Sequence, residues 1–222
     1  MTLTIAFDLD GTLVDTAADV ADLINPLFAE LGRAPITAAQ AASCFGLGAA
    51  KFVERALALT RGQPLSPDRT AALVAAFGTV YASAPPRLSR PFPHVPETLA
   101  ACRARGWRLA VCTNKPEAPA RSLLAALGVL DRFDAVGAGD SFSARKPDPA
   151  HLAATLAAAG AAAREAVMVG DHANDIAVAR GLGVPAIFAG WGYGRPAMAE
   201  GAAAIARSFA EIPALAARWR GN

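Results

Sequence analysis

The first apolar run of the chain is short and leads directly into an acidic residue, Asp8. Its continuous apolar character predicts a buried strand. Beyond residue 16 the pattern changes, because apolar side chains over residues 20–31 recur three and four positions apart, which predicts a helix. Further helical segments follow up to about residue 84, one opening with a capping box at Thr37 and another with an N-cap at Ser66. The first third of the chain is therefore expected to be almost entirely helical.

From about residue 95 onward, helices alternate with short apolar strands. A proline-rich link over residues 85–93 separates this part from the helical part. The predicted helices cover residues 95–105, 117–127, 149–159, 174–181 and 209–219, and the predicted strands cover residues 107–113, 133–138, 166–170 and 185–188. Such alternation indicates a parallel sheet with helices on both faces, and the opening strand is expected to join it.

These patterns predict an α/β fold class. The expected architecture is a Rossmann-like parallel-sheet core with helices on both faces, plus an all-helical cap inserted after the first strand. The predicted boundaries assign residues 1–15 and 87–222 to the core domain and residues 16–86 to the cap domain.

The composition excludes several classes of protein. Hydrophobic residues make up 54% of the 222 positions, which argues against disorder. The net charge is only +2 and like charges do not cluster, so neither nucleic acid nor a membrane surface is an expected partner. No apolar run reaches the roughly 20 residues that span a bilayer, and the N-terminus lacks the basic segment of a signal peptide. The three cysteines share no metal-ligand spacing, so we expect reduced thiols in a cytoplasmic protein.

Polar residues collect where the predicted strands end, and in an open parallel sheet those ends line one crevice. The residues at these ends are Asp8 and Asp10, Thr113 and Asn114, Lys146, and Asp171 and Asp175. Carboxylates without a histidine or cysteine cluster favour a hard cation, with Mg²⁺ as the first choice. A lysine and a Thr-Asn turn suit a phosphoryl group, and an aspartate can act as its nucleophile. Phosphoryl transfer is the reaction that fits this set best.

The same residues resemble the four motifs of the haloacid dehalogenase superfamily. Residues 8–16, which begin Asp-Leu-Asp-Gly-Thr, are similar to its first motif. The second, third and fourth motifs resemble Thr113-Asn114, Lys146-Pro147 and Gly170-Asp171 with Asp175, in the same order along the chain. The helical insertion is similar to the cap of the first type in this family. The resemblance implies a phosphatase whose substrate is a small phosphorylated metabolite.

The resemblance also implies a role for each acidic residue. Asp8 would be the nucleophile and a Mg²⁺ ligand. Asp10 would be the general acid and base, and would touch the metal through its backbone carbonyl. Asp171 would bind Mg²⁺, and Asp175 would bind it through water or support Lys146. The implied metal set is therefore Asp8, Asp10, Asp171 and Asp175.

The remaining motif residues would hold the phosphoryl group. The implied phosphate-binding set is Thr113, Asn114, Lys146 and Gly11, and the implied catalytic set is Asp8, Asp10, Thr113 and Lys146. Outside the motifs, Lys115 is expected to be solvated rather than catalytic. Asp15 and Thr16 lie where the cap joins the core and can act as a hinge, as a helix cap or in substrate contact. His172 can border the site, although sequence adjacency to Asp171 does not fix its direction.

Specificity for the substrate is expected to come from the cap. Gly46 and Gly48 form a loop that either separates two helices or folds over the substrate. Lys51 and Arg55 are weaker candidates for binding a substrate carboxylate.

Within the superfamily the chain is most similar to the phosphoglycolate phosphatases. The likeness is carried by residues 46–57, by residues 111–116 and by Gly192-Tyr193-Gly194, and it implies 2-phosphoglycolate as substrate. His172 stands where these phosphatases frequently have serine, so the likeness does not define the residues at the rim of the site. The alternatives are a β-phosphoglucomutase-type mutase, a pyrophosphatase-like or broad-specificity sugar phosphatase, and a non-catalytic sensor. The chain is expected to be a monomer or a homodimer.

Overall fold

The computed structural model describes residues 2–219 of the chain. In chain order the strands are β1 (Thr4–Phe7), β2 (Val14–Asp15), β3 (Arg90–Pro91), β4 (Arg108–Cys112), β5 (Ala135–Gly137), β6 (Ala166–Gly170), β7 (Ala186–Ala189) and β8 (Ala204–Ala206). The α-helices are α1 (Ala17–Glu30), α2 (Ala38–Ala42), α3 (Ala49–Ala58), α4 (Pro67–Ser83), α5 (Val95–Ala104), α6 (Glu117–Ala126), α7 (Pro149–Ala158), α8 (Ala173–Leu182) and α9 (Ile212–Ala216). Among these described helices, none combines the length and apolar character needed to cross a membrane.

Six strands form one sheet in the order β5-β4-β1-β6-β7-β8, and every neighbouring pair is parallel. Side chains alternate between the faces of a strand, so Ile5 and Phe7 of β1 pack on one side and Ala6 packs on the other. Helices α5, α6 and α9 contribute to the core on the first side, whereas α7 and α8 contribute to the core on the second. The α/β fold class predicted from the sequence is therefore confirmed.

The strand register brings the polar strand ends together. Phe7 of β1 pairs with Val111 of β4 on one side and with Val169 of β6 on the other. The residues that follow these strands therefore emerge at the same edge of the sheet. This edge, at the carboxyl ends of the strands, is where an open parallel sheet places its ligand.

Helices α1 to α4, which lie between β2 and β3 along the chain, build a separate apolar cluster. Its fully or almost fully buried members include Ile24, Phe28, Phe52 and Phe77. The short strands β2 and β3 pair antiparallel where the chain leaves the sheet and returns to it. The separate cluster supports the division into core and cap, but the boundaries after residues 15 and 86 stay a prediction. The predicted outer limits of the core, residues 1 and 222, lie outside the described residues.

Three parts of the predicted pattern differ from the structure. The two-residue strands β2 and β3 are not predicted, because two residues are too few to show a periodicity. Strand β8 is missing from the prediction, because it is three residues long and lies in an alanine-rich segment whose sequence does not distinguish a strand from a helix. The helix predicted over residues 209–219 is instead a short α9 between the 3₁₀ turns Phe209–Glu211 and Ala217–Trp219. Pro213 lies in the first turn of α9, where its missing N–H is tolerated, and it prevents a regular helix from running through that point.

Candidate active site

Three strands position the centre of the site. Asp8 directly follows β1, and its backbone N–H donates to the carbonyl of Val169 at 2.8 Å. Thr113 directly follows β4, and its backbone N–H donates to the carbonyl of Gly137 at 2.9 Å. Asp171 directly follows β6. Asp8 and Thr113 continue the ladder of the sheet, and Asp171 comes directly after a fully buried strand, so buried strands fix the positions of all three residues.

Lys146 lies beneath these residues and connects two carboxylates. Its Nζ is 2.8 Å from Oδ1 of Asp8 and 2.7 Å from Oδ1 of Asp175, and its side chain has no exposed surface. Burial alone would lower the pKa of Lys146, but the adjacent Asp175 and Asp8 carboxylates raise it above its ordinary value. The lysine therefore remains charged and offsets part of the negative charge of the site.

Asp8, Asp171 and Asp175 form a buried cluster with one carboxylate oxygen from each residue within 4.8 Å of the others. Burial, and next the charge of Asp8, raise the pKa of Asp171 to about 7. Both oxygens of Asp175 already accept hydrogen bonds, from Lys146 at 2.7 Å and from the backbone N–H of His172 at 3.0 Å. The three carboxylates together are therefore the candidate ligands of a cation, and Asp175 also holds Lys146 in place.

This donor set fits a hard divalent cation. The cluster supplies only oxygen ligands, which Mg²⁺ and Ca²⁺ prefer, and it concentrates more negative charge than Lys146 alone offsets. Asp171 is also held in a fixed orientation, because its Oδ1 accepts from Thr12 at 2.9 Å and its Oδ2 accepts from the backbone N–H of Tyr193 at 2.8 Å. A fixed carboxylate is what a preorganised metal site needs.

Asp10 follows Asp8 by two residues and lines the pocket together with residues of the inserted helices. Its Oδ1 accepts a hydrogen bond from Thr16 Oγ1 at 2.7 Å and pairs with Lys115 Nζ at 3.2 Å. Gly11 follows with φ of +85°, and a Cβ there would lie 2.5 Å from Oδ2 of Asp171. A side chain at Gly11 would therefore be strained and would displace the Asp171 carboxylate.

Asn114 joins the second motif to the third and to the cap. Its Nδ2 donates to the carbonyl of Lys146 at 3.0 Å and to the carbonyl of Gly46 at 3.2 Å. The same Gly46 carbonyl accepts from Nδ2 of Asn174 at 2.5 Å. The loop at Gly46 is thus tied to the core at the turn after β4 and at the first turn of α8.

A pocket lies between the strand ends and the inserted helices. Its lining includes the predicted site residues Asp8, Asp10, Thr113 and Asn114 together with Gly46 and Gly48 from the cap. The other lining residues are Val20, Phe45, Ala49, Phe52, Phe77, Tyr81, Lys115 and Pro116. The cap side of this pocket is apolar apart from Tyr81.

The two predicted cationic specificity residues lie elsewhere. Lys51 is exposed and pairs with Glu54 at 2.5 Å on the same helix. Arg55 donates from Nη1 to the carbonyl of Phe45 at 3.2 Å and is not among the residues that line the pocket. The structure therefore brings Gly46 and Gly48 to the site but leaves Lys51 and Arg55 outside it.

Lys115 differs from its expected position. Instead of being solvated it is 8% exposed, pairs with Asp10 and hydrogen-bonds the hydroxyl of Tyr81. Burial would lower the pKa of Lys115, but Asp10 and Tyr81 raise it above its ordinary value. A lysine next to a motif carries no sequence signal for its direction, since that depends on where α4 brings Tyr81.

Tyr193 is a second residue whose role the sequence does not reveal. Its hydroxyl donates to Oδ1 of Asp15 at 2.6 Å and accepts from the backbone N–H of Thr16 at 2.7 Å. Its own backbone N–H donates to Asp171. Tyr193 therefore connects the start of the inserted helices to the Asp171 carboxylate. The only sequence signal is the pair of flanking glycines, where a Cβ on Gly192 or Gly194 would overlap Asp171.

Comparisons with known proteins give the family of the chain. A family model for haloacid dehalogenase-like hydrolases matches residues 2–183. The chain is 42% identical over 212 residues to a phosphoglycolate phosphatase of Rhodospirillum rubrum, covering 94% of this chain and 88% of that protein.

Solved structures extend the likeness to the whole fold. A protein described as a predicted phosphoglycolate phosphatase from Haemophilus somnus has a TM-score of 0.86 at 30% identity, covering 96% of this chain and 97% of that one. A mutant of CbbY from Rhodobacter sphaeroides in complex with xylulose-1,5-bisphosphate has a TM-score of 0.70 at 25% identity, covering 96% of both chains. The resemblance seen in the motifs is thereby confirmed, and the chain belongs to the haloacid dehalogenase-like hydrolase family, as one of its phosphatases.

Proposed function

We propose that the chain is a Mg²⁺-dependent phosphomonoester hydrolase that acts on 2-phosphoglycolate through an aspartyl-phosphate intermediate. The observation that carries the proposal is the position of Asp8, whose carboxylate lies between Lys146 and Asp171 at the end of the central strand. A nucleophilic carboxylate needs nearby positive charge to approach a phosphoryl group, and Lys146 supplies part of it. Mg²⁺ held by Asp8, Asp171 and the backbone carbonyl of Asp10 would supply the remainder.

The reaction has two steps, and Asp10 moves the proton in both. First, a carboxylate oxygen of Asp8 bonds to phosphorus while the bond from phosphorus to the ester oxygen breaks, and Asp10 donates a proton to that oxygen. Second, a water oxygen bonds to phosphorus and the Asp8–phosphorus bond breaks, while Asp10 accepts the proton of the water. Thr113 and the backbone of Asn114 hold the phosphoryl oxygens throughout.

Two findings support a small acidic substrate. The relative from Rhodospirillum rubrum is named phosphoglycolate phosphatase. The cap side of the pocket offers mostly aromatic and aliphatic side chains, such as Phe45, Phe52 and Phe77, which provide few partners for the hydroxyls of a sugar. The CbbY complex favours a sugar bisphosphate as the second candidate, because that protein binds one in a similar fold.

A phosphate-release assay over a panel of phosphorylated metabolites tests the proposal. We expect the highest kcat/KM for 2-phosphoglycolate, loss of activity on chelation, and its return with Mg²⁺. Asp8→Asn should reduce phosphate release to background, whereas Asp131→Asn, on an exposed 3₁₀ turn, should not. Isomerisation of glucose phosphate without phosphate release would identify a mutase, and full activity of Asp8→Asn would refute the nucleophile.

A further inference from the structure

The pocket contains one cation whose role the proposed chemistry does not include. Lys146 lies beneath Asp8, and Lys51 and Arg55 lie outside, so Lys115 is the one lysine or arginine among the described residues that line the pocket. It is the second residue after Thr113, and its backbone N–H donates to Thr113 Oγ1 at 3.2 Å. The ammonium group of Lys115 and the phosphoryl-binding turn are therefore parts of one short, internally bonded segment.

The Lys115 ammonium is held from two sides. Its Nζ contacts Asp10 Oδ1 at 3.2 Å from the core, and it hydrogen-bonds the Tyr81 hydroxyl of the inserted helix α4. The same Nζ lies 4.3 Å from the centre of the Tyr81 ring, which adds a cation–π contact. Burial raises the pKa of Tyr81 to about 12, so its hydroxyl stays neutral. An ammonium group has three N–H donors, and the described residues account for two of them.

Stability alone gives a weak reason to bury a lysine here. Removing an ammonium group from water costs several kcal/mol, and an apolar side chain among Val20, Phe77 and Pro116 would avoid that cost. A cation in a pocket with an apolar cap side instead provides a specific partner for an anionic ligand group. It lies next to the phosphoryl-binding turn, where the second end of a two-carbon phosphomonoester would reach it.

We propose that Lys115 binds the carboxylate of the substrate, with Tyr81 holding the ammonium in position, and thereby selects short phosphomonoesters that carry a carboxylate. This inference rests on the proposed phosphatase function. It assigns to a core residue the binding of the substrate carboxylate, for which Lys51 and Arg55 are the weaker candidates in the sequence. The cap then contributes an aromatic hydroxyl and an apolar wall, and the core contributes the charge.

The test compares 2-phosphoglycolate with ethyl phosphate, in which a methyl group replaces the carboxylate. The quantity measured is the ratio of the two kcat/KM values. For Lys115→Met we expect this ratio to fall about 10- to 100-fold, the typical effect of losing a hydrogen bond to a charged group. Lys115→Arg should restore part of the ratio. Tyr81→Phe, which removes only a hydroxyl, should lower it by a few-fold.

Arg121→Met is the matched control, because Arg121 is a partly exposed cation on the helix that follows the same turn, and it should leave the ratio unchanged. An equal loss of kcat on both substrates in Lys115→Met, with the ratio intact, would overturn the inference and assign Lys115 to the positioning of Asp10. A change of ratio in Lys51→Met but not in Lys115→Met would also overturn it. If the wild-type protein releases no phosphate from either ester, the proposed function itself fails, which is a separate result.

Discussion

The strand-end edge of the sheet and the inserted helices meet at one pocket, yet they contribute opposite kinds of side chain. The edge contributes buried charges, with Asp8, Lys146 and Asp175 joined by contacts of 2.7 and 2.8 Å. The inserted helices contribute mainly aromatic rings, and Phe52, Phe77 and Tyr81 stack in sequence with centroids 5.4 and 5.2 Å apart. Under the proposed function, the edge would perform the chemistry, and the inserted helices would control which molecules reach it and would exclude water.

The largest effect is expected when the charge balance of the strand-end edge is broken. Lys146→Met leaves Asp8 and Asp175 without their shared buried partner, so we expect stability to fall by about 3 kcal/mol. Phosphate release should fall by about 100- to 1000-fold, because a positioned cation at the developing charge is lost. Urea unfolding and steady-state kinetics measure the two quantities.

Arg121→Met is again the control for removal of a positive charge, and it should change stability by less than about 0.5 kcal/mol because the pair with Glu117 is exposed. Retention of wild-type phosphate release in Lys146→Met would mean that the Lys146 charge is structural and does not take part in the chemistry at the strand-end edge.

The sequence predicts the strand-end edge better than it predicts the pocket side of the inserted helices. Asp8, Thr113 and Asp171 each follow a buried strand, and parallel topology alone brings strand ends together, so their meeting follows from the local pattern. The pocket side of the inserted helices depends on how separate helices pack. Lys115 contacts Tyr81 because α4 lies opposite it, and Lys51 faces solvent although its spacing along α3 allows either direction. Local periodicity contains no information on such tertiary contacts.

An intermediate effect is expected where the two regions are joined at Gly46. This residue has φ of +107°, and a Cβ there would lie 2.5 Å from the His172 ring. Gly46→Ala should therefore lower kcat/KM about 10-fold, by shifting a loop whose carbonyl is held by Asn114 and Asn174. The measurement is phosphate release together with a melting curve.

Gly32→Ala separates backbone strain from contact with the core. Gly32 also has a positive φ, of +63°, but nothing lies within 4 Å of its Cβ position, so the substitution should cost stability without lowering kcat/KM. Adding His172→Ala to Gly46→Ala should recover part of the lost activity, since the ring that blocks the new methyl group is gone. Equal activity losses for Gly32→Ala and Gly46→Ala would show that the contact with His172 is irrelevant.

The smallest effect tests whether the inserted helices unfold independently of the sheet. Ser66 caps α4 by accepting a hydrogen bond from the backbone N–H of Arg69 at 3.3 Å, and Ser66→Ala should cost about 1 kcal/mol. If the cap is a separate domain, amide exchange should accelerate in α4 while β1 and β6 keep wild-type protection. Ser208→Ala removes a similar N-cap hydrogen bond on the sheet side, which Ser208 Oγ accepts from the N–H of Ala210 at 3.3 Å. This substitution should leave exchange in α4 unchanged. Faster exchange in α4, β1 and β6 alike after Ser66→Ala would instead mean that the inserted helices and the sheet unfold as one unit. A local loss of helix stability would then lower the stability of both parts.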